Sequence, residues 1–339
     1  MLRESTEPLY TGYDLVMLDL DGVVYSGSSA VPHAPEGVTE ARDRGMRVAF
    51  ITNNASRTPD VVSDHLTRLG IPASPEDIVT SAQAAARLLA DRFPEGSPIL
   101  LAGGSGLETA LREVGLTPVT RMEDAPVAVA TGYGPDLPWN RILLAAIAVS
   151  DGLPWVASNT DSTIPTDWGL GPGHGALVDL IQRFSGRTAD VAGKPARPLL
   201  DETRRRMEAE RPLMVGDRLD TDIAGGTNAD VDTLLVMTGV TGLVQIADAS
   251  PEERPTYIAA DLRGLFEPHP TPAWAGTGAV LGGWRAEVIA GTLVVQEDGT
   301  DDAPSVADWW RVAAVCLWRY RDETGQSADT GGVAPPTAP

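Results

Sequence analysis

The sequence predicts an α/β fold: a parallel-sheet core, a second α/β domain inserted into it, and a small C-terminal α+β appendage. Three observations predict it. Short apolar, β-branched runs alternate with amphipathic stretches, as strands and crossover helices do in a parallel sheet. That pattern restarts inside itself, and a tryptophan-rich stretch follows the last strand signal. At 339 residues the chain also exceeds one ordinary core. The expected division is core 1–82, inserted domain 83–186, core 187–268, appendage 269–324 and a disordered tail 325–339.

Composition narrows the partners. Hydrophobic content of 42% with 22% charged residues is ordinary for a soluble protein. A net charge of -21 and a pI near 4.5 argue against nucleic acid and anionic membranes as partners. The single cysteine, Cys316, excludes an internal disulfide and fits a reducing compartment. The stretch Met1–Tyr10 carries acids and a proline where a signal peptide has an apolar centre, so a cytoplasmic location is expected.

The first strand, Leu15–Leu18, delivers Asp19-Leu20-Asp21-Gly22. Alternation puts Asp19 and Asp21 on one face, where their repulsion calls for a cation, and a hard one such as Mg2+ prefers oxygen ligands. Alone, the stretch also suits a plain turn. A calcium loop would need more acids and a Glu, whereas Val23-Val24-Tyr25 follows. A helix is expected over 35–44 and a strand over 47–52, ending in Thr52-Asn53-Asn54. These three can donate to phosphate oxygens without changing protonation; equally, they can cap the next helix.

Within the insertion, strands are expected over 99–102, 127–130 and 155–157, and helices over 107–114 and 142–150. The turn Gly103-Gly104-Ser105-Gly106 meets neither a dinucleotide fingerprint nor a nucleophile elbow and reads as a tight turn. Ser158-Asn159-Thr160-Asp161 ends a strand, and 165–175 reads as an irregular Gly/Pro-rich loop suited to substrate reading. The sheet resumes with 189–192, then Gly193-Lys194-Pro195, where Lys194 offers a positive charge at a strand end. A helix over 199–210, a strand over 213–215, the acidic run Gly216–Asp222, and strands near 234–237 and 257–258 complete it. Acid pair, hydroxyl with amides, lysine and acid cluster thus all fall at expected strand ends.

Together these motifs resemble those of the haloacid dehalogenase-like phosphatase superfamily, a Rossmann-like core with an inserted cap. Asp19–Gly22, Thr52–Asn54, Lys194 and Gly216–Asp222 are similar to its four motifs, and the insertion lies where its class IIA members carry a large α/β cap. Gly193-Lys194-Pro195 and Pro172–Ala176 are similar to the branch of p-nitrophenyl, phosphoglycolate and glycerol-3-phosphate phosphatases. The resemblance implies Asp19 as nucleophile and Mg2+ ligand, and Asp21 as proton donor and acceptor that binds the metal through its carbonyl. It implies Asp217 as a further ligand, with Asp222 orienting metal-bound water or binding directly. Gly22, Thr52, Asn53, Asn54 and Lys194 would surround the phosphoryl group, with Asn159, Asp161 and His174 as candidate substrate readers.

The implied substrate is a small phosphorylated metabolite. Glycerol 3-phosphate is favoured over phosphoglycolate, pyridoxal phosphate or a sugar or nucleotide monophosphate. A non-catalytic phosphate-binding scaffold is the rival, and a homodimer through the cap is the implied assembly. The sequence departs from the branch at Gly134, where a cap Asp often stands, and at Asn159-Thr160-Asp161, where Asn-Pro-Asp is common.

The appendage holds Trp274, Trp284, Trp309, Trp310 and Trp318, so it should be packed. A hairpin around Gly291 and a helix opened by a capping box at Ser305 and Asp308 are expected. Distantly it resembles an acetyltransferase-like segment without a glycine loop for coenzyme A, which implies a packing or regulatory role.

Overall fold

The computed structural model describes residues 2–166, 168–299 and 304–336, in two compact units. The first comprises Met1–Val48, Leu69–Ile71 and Ala209–Pro339; the second comprises Ala49–Arg68 and Pro72–Glu208.

In the first unit, four parallel strands lie in the order Tyr257–Ala259, Asp232–Val236, Pro212–Gly216, Leu15–Asp19. Their residues are nearly all buried, as strands covered on both faces must be. Leu15–Asp19 and Pro212–Gly216 run side by side in register Leu18↔Val215, so the residues after each strand emerge at the same end. That is where an open parallel sheet presents its ligand-binding groups.

The appendage is a four-stranded antiparallel sheet, Ala273–Ala275, Gly278–Leu281, Trp284–Ile289 and Thr292–Glu297, followed by the helix Val306–Thr324. The Ser305 hydroxyl accepts from the Asp308 amide at 3.0 Å, which starts that helix as the sequence predicts. Residues 325–336, expected to be disordered, are instead held in place. Asp329 pairs with Thr292, and Ala328 and Thr330 are buried, because a small polar segment can still bury its few apolar atoms beside a tryptophan-rich surface. Residues 337–339 of the expected tail lie outside the described residues.

The second unit contains a parallel sheet in the order Asp190–Val191, Trp155–Ala157, Ala128–Thr131, Pro98–Ala102, Thr117–Val119. Helices Trp139–Ser150 and Pro198–Arg206 and the helix His174–Ser185 fall within it, and Leu100, Val129, Val149, Trp155, Val178 and Ile181 share one core. The Gly/Pro-rich segment expected to be irregular forms a hairpin, Thr163–Thr166 with Gly169–Pro172, and runs into the helix at His174. Its paired strands carry no apolar alternation, so only the pairing itself reveals them. The Gly103–Gly106 turn caps the helix Ser105–Glu113; a side chain at Gly106 would lie 2.6 Å from the Ala55 and Arg57 carbonyls. Close backbone approach therefore explains that glycine, and the tight-turn reading suffices.

Candidate active site

The first unit gathers three acids. Oxygen atoms of Asp19, Asp217 and Asp222 all lie within 4.8 Å of one another. Asp19 closes the strand Leu15–Asp19, Asp217 follows the strand Pro212–Gly216, and Asp222 sits in a wide π-type turn, Leu219–Ile223. Asp217 and Asp222 are buried at 1% exposure each. At that spacing each pair of ionised carboxylates repels by about 3 kcal/mol for an effective dielectric near 20.

The backbone forces this crowding. Gly22 has φ +88, and a side chain there would lie 2.5 Å from Asp217 Oδ2; at Gly239 the gap would be 1.9 Å, and at Gly216 a side chain would meet Asp222 at 2.1 Å. Only glycine allows such approach. The Val240 amide donates to Asp217 Oδ2 at 2.8 Å, and the Arg218 amide donates to Asp222 Oδ2 at 3.1 Å. The Thr238 hydroxyl donates to the Gly22 carbonyl at 2.6 Å and ties the two glycine turns together. An all-oxygen donor set of this kind fits a hard divalent cation such as Mg2+ or Ca2+.

The Asp21 side chain is not one of the clustered acids; its surface is partly open to water. Lost hydration nevertheless raises its pKa above the ordinary carboxylate value. The Gly22 amide donates to the Tyr25 carbonyl at 2.8 Å and fixes the turn that presents Asp21.

In the second unit the residues converge on Asn53. Its Nδ2 donates to Asp161 Oδ1 at 3.0 Å and to the Lys194 carbonyl at 2.9 Å, while its Oδ1 accepts from the Lys194 amide at 2.8 Å. Its carbonyl accepts from Ser81 Oγ and Asn159 Nδ2, both at 2.6 Å. The Asn53 side chain is thus fully engaged within the protein. That side chain clamps the loop of Lys194, which is itself buried at 2% exposure. A side chain at Gly193 would lie 2.6 Å from Asn53 Oδ1, so the glycine before Lys194 makes room for the clamp.

Thr52 Oγ1 accepts from the Asn54 amide at 3.0 Å, which leaves its proton to donate. Asn54 Oδ1 accepts from the amide and hydroxyl of Ser56 at 2.9 and 2.8 Å, a local turn, so only its NH2 remains for a ligand.

The expected substrate readers all lie in this unit. Asn159 is buried, donates to Asn53 and accepts from the Asp161 amide at 3.1 Å. Asp161 holds Asn53. His174 lies inside the second unit at 3% exposure, its Nε2 3.1 Å from Thr131 Oγ1, which also accepts from the Trp155 indole at 2.9 Å. Burial lowers its pKa to about 4, and it packs as a neutral ring.

Sequence reasoning missed Ser81 and the loop Thr238-Gly239-Val240. The latter follows the strand Asp232–Val236, and that strand-end position was its available signal.

Comparison with known proteins follows the same lines. The description "haloacid dehalogenase-like hydrolase" matches residues 16–117, and a second one, HAD-hydrolase-like, matches residues 191–265. The chain is 40% identical over 313 residues to D-glycerol 3-phosphate phosphatase of Mycobacterium tuberculosis, covering 91% of this chain and 87% of the relative. The crystal structure of a glycerol phosphate phosphatase from that organism in complex with magnesium matches with TM-score 0.82 and 38% identity, over 93% of each chain. An acid sugar phosphatase of Staphylococcus haemolyticus is 33% identical over 255 residues, 75% of this chain and 94% of the relative. A double-mutant thermostable NPPase from Geobacillus stearothermophilus matches with TM-score 0.67 and 33% identity, over 74% of this chain and 96% of its own.

The chain belongs to the haloacid dehalogenase-like hydrolases. Within them it groups with the class IIA phosphatases, and it is a phosphatase.

Proposed function

We propose that the protein is a Mg2+-dependent phosphomonoesterase that hydrolyses a small phosphorylated metabolite, glycerol 3-phosphate first among them, through a phosphoryl group carried on Asp19. The observation that carries this reading is the oxygen cluster of Asp19, Asp217 and Asp222 within 4.8 Å. Asp19, Asp217 and Asp222, with the Asp21 carbonyl, would hold the cation, which when bound neutralises charge on the phosphate and the acids. Asp19 attacks phosphorus, and the Asp21 carboxyl protonates the leaving alkoxide and then takes a proton from the hydrolytic water. Gly22 gives the Asp21 turn its shape, and Asn53, Asn159 and Asp161 keep in place the loop of Lys194, a residue that with Thr52 the family resemblance assigns to phosphoryl oxygens.

The substrate choice rests on likeness to D-glycerol 3-phosphate phosphatase over 91% of the chain. A panel of phosphorylated metabolites assayed with Mg2+ tests it, with Asp19→Asn as blank. Glycerol 3-phosphate should give the highest kcat/KM; a sugar or nucleotide monophosphate at the top would overturn the choice.

A cytoplasmic homodimer completes the proposal, with residues 83–186 as the cap. Trp139, Leu143 and Ile147 line one exposed face of their helix, and Leu180 and Phe184 are exposed on the helix His174–Ser185. Exposed apolar residues at that spacing favour contact with a second copy through the cap. The buried Cys316 thiol, which donates to the Ala286 carbonyl, suits a reducing compartment. Sedimentation of the wild type against Leu143→Asp checks the dimer: the variant should be monomeric.

A further inference from the structure

The C-terminal helix Val306–Thr324 has no part in the chemistry above, yet its buried face reaches the segments that hold the acids. Trp318 is buried, and its indole N–H donates to the Ile246 carbonyl at 3.1 Å. Ile246 belongs to the short helix Leu243–Asp248, which starts just after Val240, the residue whose amide holds Asp217. Trp309, Trp310 and Trp318 share one apolar cluster with Leu243 and Ile246 and with Leu219 and Ile223, which flank Asp222 in its turn. Arg254 closes the far side: its guanidinium donates to Asp322 at 2.6 and 2.8 Å and lies 5.6 Å from the Trp318 ring.

We propose that the C-terminal helix braces the cation-binding acids, with Trp318 as the positioning residue acting through the helix Leu243–Asp248 on Asp217. The inference rests on reading the acid cluster as a cation site. Three like charges push apart the loops that carry them, and a site that must wait for its cation needs those loops held from behind. Relatives of about 255 matched residues span 74–75% of this chain and 94–96% of themselves, so they are complete without a segment as long as the appendage. In this chain Leu243, Ile246 and Ala247 are buried in the cluster that contains the appendage tryptophans, which makes the brace part of this protein's own core.

The test is a calorimetric titration of Mg2+ into the full-length wild type, Trp318→Phe and Trp284→Phe, with each thermal midpoint measured in parallel. Both substitutions keep an aromatic ring and remove one indole hydrogen bond. The Trp284 indole donates to the Ser305 carbonyl at 2.9 Å, inside the appendage, whereas the Trp318 indole hydrogen-bonds to the short helix. Trp318→Phe should weaken Mg2+ binding about fivefold, less than the ~10–100-fold cost of losing a ligand's own hydrogen-bond partner. Trp284→Phe should leave binding within about twofold.

Any other pattern overturns the proposal, including equal weakening in both, no weakening in Trp318→Phe, or a wild type that binds no Mg2+. Should Trp318→Phe fail to fold, Asp322→Asn replaces it, since Asp322 is 54% exposed. Its expected weakening is about twofold, as suits a half-exposed ion pair, and unchanged affinity would count against the brace. A wild type that binds Mg2+ but hydrolyses no phosphomonoester would overturn the proposed function and leave the brace standing.

Discussion

The acid-bearing first unit and the amide-bearing second unit use opposite means to place their functional groups. Around Asp19, Asp217 and Asp222 the chain removes side chains, at Gly22, Gly216 and Gly239, and supplies backbone amides. Around Lys194 it adds side chains, and Asn53, Asn159, Asp161 and Ser81 bond to one another. The difference follows from chemistry. Ionised carboxylates only accept, so three of them cannot satisfy each other and remain suited to a cation. An asparagine both donates and accepts, so neighbouring polar groups readily consume it. Acids in a motif therefore report a ligand more directly than amides do.

The largest effect that sharpens this contrast is expected from Asp217→Asn. Turnover of p-nitrophenyl phosphate should fall on the order of 10³-fold, because the substitution removes a charge that a cation would need. Activity within tenfold of wild type would break the acid half of the comparison.

Next in size is a response to pH shared by both units. His174 in the second and His269 in the first are buried, and burial lowers each pKa to about 4; a bond to Gly264 opposes the shift at His269 and Arg311 adds to it. With unfolded values near 6.5, the unfolded chain binds more protons between about pH 4 and 6.5. Stability is therefore complete above that window and declines as pH falls through it, by about 3 kcal/mol per histidine. Urea unfolding from pH 7 to 4.5 should show a falling midpoint, and the slope should flatten in His269→Gln.

A smaller effect separates clamp from ligand. Asn53→Ala should cost about 1–3 kcal/mol of stability, since it leaves the Lys194 amide and carbonyl and the Asp161 carboxylate without their partner. Its kcat should fall more than its KM for p-nitrophenyl phosphate rises. A raised KM with unchanged stability would instead place Asn53 against substrate. Smallest is Asn54→Ala, which loses the turn bonds to Ser56 and should lower the unfolding free energy by about 1 kcal/mol in urea titration.

The strands that carry the acids were legible because Leu15–Leu18 and Leu213–Val215 are apolar runs ending in Asp-rich turns, a signal that needs no partner to be seen. The roles of Asn53 and Asn159 were not, because Asn53 pairs with Lys194 and Asn159 with Asn53, each far off in sequence, and nothing local marks the pairing. The hairpin over 163–172 was hidden for a related reason: pairing, not alternation, defines it. The order of the final segment came from burial of Ala328 and Thr330, which composition conceals.

The most direct measurement is acid quenching of the enzyme during turnover of glycerol 3-phosphate with Mg2+, followed by mass spectrometry of its peptides. One phosphoryl group on the peptide containing Asp19, absent in Asp19→Asn, is the expected result. Continued turnover by Asp19→Asn, or a phosphoryl group on any other residue, would contradict the account.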